Sequence, residues 1–131
     1  EIYTLSLHDA LPIWFSDALW NQIKGARALV LPSEWYENAP MSVLEAFASG
    51  KPVVGADIGG IPEMITPEIG WVFPSGNVDA LADVLTEVFA RSDAAIAEMG
   101  RKARVHCATH FNRTRYIEGI ETVYRELGVK F

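Results

Sequence analysis

Apolar residues recur at helical spacing over residues 14–26, where Phe15, Ala18, Leu19 and Ile23 share one face and Gly25 stands where such a helix would stop. The period then breaks. Ala28-Leu29-Val30-Leu31 is a short, wholly apolar run closed by Pro32, and Pro52-Val53-Val54-Gly55-Ala56 is a second. Such runs predict strands buried on both faces, as in parallel sheets. Between them the spacing predicts a helix from Pro40 to Ser49, with proline at its start and Gly50 just past its end. Gly59-Gly60-Ile61-Pro62 reads as a turn, followed by a short helix over Glu63 to Ile65. Gly70 to Phe73 is a third strand, closed by Pro74-Ser75-Gly76.

From there the chain turns helical. Asn77 can cap a helix whose apolar stripe is Val78, Leu81, Leu85, Val88 and Phe89. Asp93 can cap another, with Ile96, Met99 and Ala103 on one face. A last helix follows Asn112, carries Tyr116, Ile120, Val123 and Leu127, and stops at Gly128. Apolar strands alternating with helices predict an α/β unit: a Rossmann-like parallel sheet with flanking helices in three layers. Three strands make a thin sheet, so the expectation is that part of the domain lies upstream.

Composition narrows the class. The chain has 131 residues, half of them hydrophobic, with 7 prolines and 10 glycines. These are globular proportions, which exclude disorder, collagen and low-complexity classes. The net charge of −6 speaks against a broad nucleic-acid or acidic-lipid surface, though not against a single anion pocket. Cys107 is the only cysteine, so no internal disulfide forms and a reducing compartment is allowed.

The informative stretch runs from Pro32 to Val54, PSEWYENAPMSVLEAFASGKPVV. It follows a predicted strand and opens a helix, and open α/β sheets bind ligands at the carboxyl ends of their strands. A helix N-terminus offers free N–H groups and the positive end of the dipole, an arrangement suited to phosphate. Glu37 lies just before that helix and Glu45 within it, eight residues on. Eight helical steps leave about 80° of net rotation, so both carboxylates would share a side if the helix reached back to Glu37. Taken singly, Glu37 is an acid favourably near a helix N-terminus and Glu45 an exposed helix glutamate. Taken together, carboxylates that accept from hydroxyls beside an anion site suit a ligand carrying both sugar and phosphate, a nucleotide sugar.

The run from Pro32 to Glu63 resembles the C-terminal domain of the retaining glycosyltransferases of family four, enzymes of the GT-B fold marked by a Glu, seven residues and a Glu. Glu37 and Glu45 supply that pair, and Pro32-Ser33, Glu45-Ala46, Gly50-Lys51-Pro52-Val53 and Gly59-Gly60-Ile61-Pro62-Glu63 match as well. The resemblance covers residues 14–131. It implies that Glu37 is catalytic and bonds donor-sugar hydroxyls. Asn38 and Ala39 would offer N–H groups to that sugar, Met41 and Ser42 would hold the distal phosphate, and Glu45 would bind the ribose. Many members have glycine where Pro40 stands, and proline lacks the N–H.

The resemblance further implies a nucleotide-diphosphate-sugar donor, no cofactor and no metal, and no nucleic-acid partner. The location would be cytoplasmic, with peripheral contact of a parent enzyme at the inner membrane face left open. Residues 14–131 would be the donor-binding part of a truncated enzyme, lacking its N-terminal acceptor domain and inactive alone. Three alternatives remain at this point: a sugar-nucleotide epimerase of the same fold, a non-catalytic nucleotide-sugar-binding module, and a misassembled reading frame with no stable fold of its own. Residues 1–13, EIYTLSLHDALPI, resemble the translation of a common short-read sequencing adapter and are expected to be non-native.

Other residues have plainer readings. His106-Cys107-x-x-His110 places two imidazoles four residues apart, but no third ligand accompanies them, so ordinary helix residues are expected. Arg101, Lys102 and Arg104 read as a solvated helix face. Trp71 is expected to pack in the interior, while Trp35 and Tyr36 could stack on a base or sugar.

Overall fold

The structure, a computed structural model, describes residues 17–129. The adapter-like segment 1–13 and the start of the first predicted helix fall outside the described residues. The elements in order are α1 (Asp17–Gly25), β1 (Leu29–Leu31), α2 (Met41–Ala48), β2 (Val53–Asp57), α3 (Ile61–Met64), β3 (Gly70–Pro74), α4 (Val78–Ala90), α5 (Asp93–His110) and α6 (Arg113–Glu126).

The three strands form one parallel sheet in the order β1-β2-β3. Leu29 pairs with Val53 and Val53 with Gly70, so the three carboxyl ends lie together at one rim. Alternation along the middle strand divides the core. Val53 faces α2, α3 and α5, within a cluster that includes Val43, Phe47, Ile61, Met64 and Ala103. Val54 and Ala56 face the other way, against Phe73, Val88 and Ile96. The sheet is therefore the middle of three layers, as the alternation of elements predicts.

Burial on both faces holds for β2 alone. Val30 of β1 and Val72 of β3 are each 38% exposed. The register puts Val30 on the face of Val54, where α4 packs on β3 rather than on β1. Hydrophobic runs report what a strand can bury, and helix placement decides how much of it is covered.

The helix boundaries show the same division. Asn77 and Asn112 cap α4 and α6 as the sequence indicates, accepting from Ala80 N–H and Arg115 N–H. The cap of α5 is Ser92, whose hydroxyl accepts from Ala95 N–H, and Asp93 is instead the first helical residue. There its negative charge favours the helix N-terminus, and it pairs with Arg27. Helix α2 begins at Met41 with Pro40 as its extended N-cap (φ −64°, ψ 122°), and α3 starts two residues before its predicted position. On α4, Val78 and Phe89 of the predicted stripe are exposed while Val88 is buried. No residue of α6 is buried, so its predicted apolar stripe stays open among the described residues.

Two close approaches set α2. Cys107 Sγ–H lies 3.8 Å from the Leu44 carbonyl, and burial raises the Cys107 pKa. A Cβ on Gly100 would come within 1.9 Å of the Gly50 carbonyl oxygen, so a glycine in α5 lets the end of α2 touch its backbone.

His106 sits edge-on to Phe47, with ring centroids 6.4 Å apart, and beside His110 at 4.4 Å. Burial, with the charge of His110, lowers its pKa. A depressed histidine pKa means that the unfolded chain takes up its proton first as pH falls. Stability contributed by neutral His106 is present above pH about 6.5 and is lost as pH drops through the folded value. The thermal midpoint is therefore expected to fall between pH 7 and pH 5. His106→Gln is expected to flatten that slope, and equal slopes for the two proteins would refute the assignment. Among the described residues no group of three or more His, Cys, Asp or Glu is placed to hold a metal ion, and no helix is long and apolar enough to cross a membrane.

Candidate functional site

The site is built where β1 and β2 end. Residues 32–40 leave β1 and bend back to start α2, and the local chemistry explains their path. Ser33 Oγ accepts from Trp35 N–H at 3.3 Å and lies 3.2 Å from the Trp35 carbonyl oxygen. Glu37 N–H donates to that same carbonyl at 2.9 Å. Serine side chains compete for backbone groups in this way and replace a regular element with a bonded turn. Pro40 then fixes φ near its ring value, and its carbonyl accepts from Val43 N–H at 3.1 Å.

The Gly59-Gly60 turn at the end of β2 braces this loop from the side. Gly60 N–H donates to the Glu37 carbonyl at 2.7 Å. A Cβ on Gly59 would lie 2.2 Å from the Glu37 carbonyl oxygen, and one on Gly60 would lie 1.9 Å from that of Asn38. Gly59 also has φ +58°, a conformation that side chains rarely adopt. Two backbones thus touch with no room for side chains between them.

This arrangement brings Glu37 and Asn38 against the β2 turn and places Met41 and Ser42 in the first turn of α2. Glu37 is half-buried, Asn38 and Ala39 are exposed, Met41 is exposed and Ser42 half-buried. The N–H groups of Met41 and Ser42 have no acceptor among the described residues, as the first amides of a helix require. Glu45 is half-buried in the second turn of α2, about 6 Å along the axis from Met41. Neither the Glu37 nor the Glu45 carboxylate has an ion pair or hydrogen bond among the described residues. Helical geometry does not reach back to Glu37, so the loop and its brace, not the helical period, place that carboxylate. Trp35 and Tyr36 stand out from the same loop at 81% and 89% exposure.

Sequence reasoning takes Gly59-Gly60 as a turn near the crevice but does not anticipate its backbone contact with Glu37 and Asn38. It passes over Ser33 and Ser75 as a pair. The Ser75 hydroxyl donates to the Ser33 carbonyl at 2.9 Å across 42 residues, and no local pattern signals such a bond. Trp71, expected in the interior, is half-buried instead. Its indole N–H donates to Glu87 at 2.9 Å, and Arg91 lies 5.3 Å above the ring. The hydrogen bonds from Trp71 and Arg91 hold the Glu87 carboxyl below its ordinary pKa.

The chain is similar to known proteins in sequence and in fold. A family model described as glycosyl transferases group 1 matches residues 8–106. The D-inositol 3-phosphate glycosyltransferase of Saccharomonospora viridis is 33% identical over 122 residues, covering 92% of this chain and 28% of that protein. The amylovoran biosynthesis glycosyltransferase AmsK of Erwinia amylovora is 36% identical over 78 residues, covering 59% of this chain and 19% of its own. The structure of sucrose-phosphate synthase from Thermosynechococcus elongatus superposes with a TM-score of 0.69 at 28% identity, covering 81% of this chain and 26% of that one. The chain thus spans less than a third of the length of each of these proteins. These likenesses are to glycosyltransferases of the GT-B fold and speak against the epimerase alternative. A match over residues 8–106 and a relative 33% identical over most of the chain place this chain in the glycosyl transferases group 1 family.

Proposed function

We propose that this chain is the donor-binding part of a retaining glycosyltransferase, which holds a nucleotide-diphosphate sugar at the carboxyl rim of its sheet. One observation carries the reading. Glu37, a half-buried carboxylate with no partner among the described residues, is held on a braced loop that leads into two helix amides, those of Met41 and Ser42, also unpaired among the described residues. Carboxylates accept from sugar hydroxyls, and amides at a helix N-terminus donate to anions.

Glu37 bonds the donor sugar, with Asn38 and Ala39 offering backbone N–H groups next to it. Met41 and Ser42 hold the distal phosphate, and Glu45 binds the ribose hydroxyls. Positioning and electrostatic stabilisation of the departing diphosphate are the protein's contribution. Pro40 supplies no N–H, so the phosphate charge falls on the two amides that follow. The reading calls for no metal ion. In this reading the facing wall of the site is assigned to an acceptor domain, and the chain by itself is expected to bind donor without turning it over.

Calorimetric titration with UDP, GDP and their glucose and mannose conjugates, in the presence of a chelator, tests this. Glu45→Ala is expected to weaken free nucleotide diphosphate and nucleotide sugar alike, by about 10-fold or more. Glu37→Gln is expected to weaken only the sugar conjugates. Equal effects of Glu37→Gln on UDP and UDP-glucose would remove Glu37 from the sugar. Sugar transfer by the purified chain alone would overturn its reading as a donor half.

A further inference from the structure

The loop that bears Glu37 is tied at both ends to strands that are not its own. At one end stands the bond from Gly60 N–H to the Glu37 carbonyl, which ties the loop to the end of β2. At the other stands the bond from the Ser75 hydroxyl to the Ser33 carbonyl, 2.9 Å long and partly buried. Ser75 directly follows β3, and β3 is not the neighbour of β1 in the sheet. Neighbouring strands lie about 4.8 Å apart. The Ser75 bond therefore links the first and third strands over the end of the second.

Between these ties a relay of hydrogen bonds runs along the loop. Ser33 is bonded to Trp35, Trp35 to Glu37, and Glu37 to Gly60. The N-cap of α2 contributes no side-chain hydrogen bond of its own. Loop geometry at Glu37 thus depends on bonds made from outside the loop.

We infer that Ser75 is a positioning residue for the donor site, acting through Ser33 to hold the Glu37 loop in its binding geometry. This rests on the donor-site reading above. Deleting the hydroxyl leaves the Ser33 carbonyl without its partner and frees the first half of the loop. The core clusters stay intact, because Ser75 belongs to neither.

The experiment compares Ser75→Ala and Ser75→Thr with the wild-type chain in three measurements: amide exchange by NMR, UDP-glucose affinity by calorimetry, and the thermal midpoint. Ser75→Ala is expected to speed exchange at the Trp35 and Glu37 amides severalfold while the β2 amides from Val53 to Ala56 keep their rates. Its UDP-glucose affinity is expected to drop about fivefold, the usual worth of one hydrogen bond, with the midpoint moving little. Ser75→Thr, which keeps the hydroxyl, is expected to restore both exchange and affinity. Unchanged exchange in Ser75→Ala overturns the tether. Faster exchange with unchanged affinity overturns its role in binding. A wild-type chain that binds neither UDP-glucose nor GDP-mannose overturns the donor-site reading instead. In that event the exchange rates alone still decide whether Ser75 positions the loop.

Discussion

Replacing Gly60 by alanine is expected to remove donor binding while leaving the core assembled. The new Cβ would sit 1.9 Å from the Asn38 carbonyl oxygen and 3.0 Å from its carbon, both backbone atoms that cannot rotate away. Gly60 itself has φ −87°, a conformation that alanine accepts, so the penalty is steric and not conformational. Relief requires the loop to move, and that breaks the 2.7 Å bond from Gly60 N–H to the Glu37 carbonyl. Overpacking of this kind costs about 1–3 kcal/mol. If the whole cost falls on the bound geometry, affinity for a nucleotide sugar drops about 5- to 150-fold. Gly128→Ala is the control. Gly128 lies past the end of α6, has φ +77°, and a Cβ added there would meet nothing within 4 Å, so alanine costs about 1–2 kcal/mol through backbone conformation alone and leaves binding intact. Calorimetry on both variants checks the contrast. Wild-type affinity in Gly60→Ala would show that the brace does not set the site.

The largest loss of stability is expected from Phe47→Ala. Phe47 lies on α2 at 0% exposure, within the cluster formed with Val43, Val53, Ile61, Met64 and Ala103. It also meets His106 edge-on. Phenylalanine-to-alanine changes in cores cost about 3–5 kcal/mol, because the lost contacts are joined by a cavity that the surroundings only partly refill. Domains are stable by only about 5–15 kcal/mol, so a large share of the total would go. Collapse is limited here because the Gly50–Gly100 backbone contact holds α2 and α5 at a set distance. Urea unfolding at pH 7 measures the loss. A change below about 1 kcal/mol, far under the usual core cost, would mean that α2 is not seated on this core. The same variant should weaken donor binding only in proportion to the unfolded fraction, which separates it from Gly60→Ala.

Most of the elements are legible in the sequence because each depends on neighbours along the chain. The apolar runs at Leu29 and Val53, the periodicity of α4 and the asparagine caps of α4 and α6 are local signals. So is the Glu37–Glu45 spacing, which carries the family resemblance only together with the motifs around it from Pro32 to Glu63. The cap of α5 shows how close the local margin is. Ser92 and Asp93 are adjacent and both can cap, and the serine takes the role while the aspartate pairs with Arg27, 66 residues away in sequence. Hydrophobic stripes show the same boundary. Those of α6 are as regular as those of α4, yet α6 has no buried residue among those described.

The order of strands and helices, the parallel α/β class and the identity of the two glutamates are written in the chain itself. Periodicity, capping and turn chemistry act over a few residues and need no fold to operate. Where Glu37 stands is a matter of long-range contact. Its position follows from the Gly60 amide, from the lack of room for any side chain at Gly59 and Gly60, and from the hydroxyl of Ser75. These contacts join the ends of three different strands. They exist only once the parallel sheet has brought those ends to one rim, and no spacing along the chain could announce them.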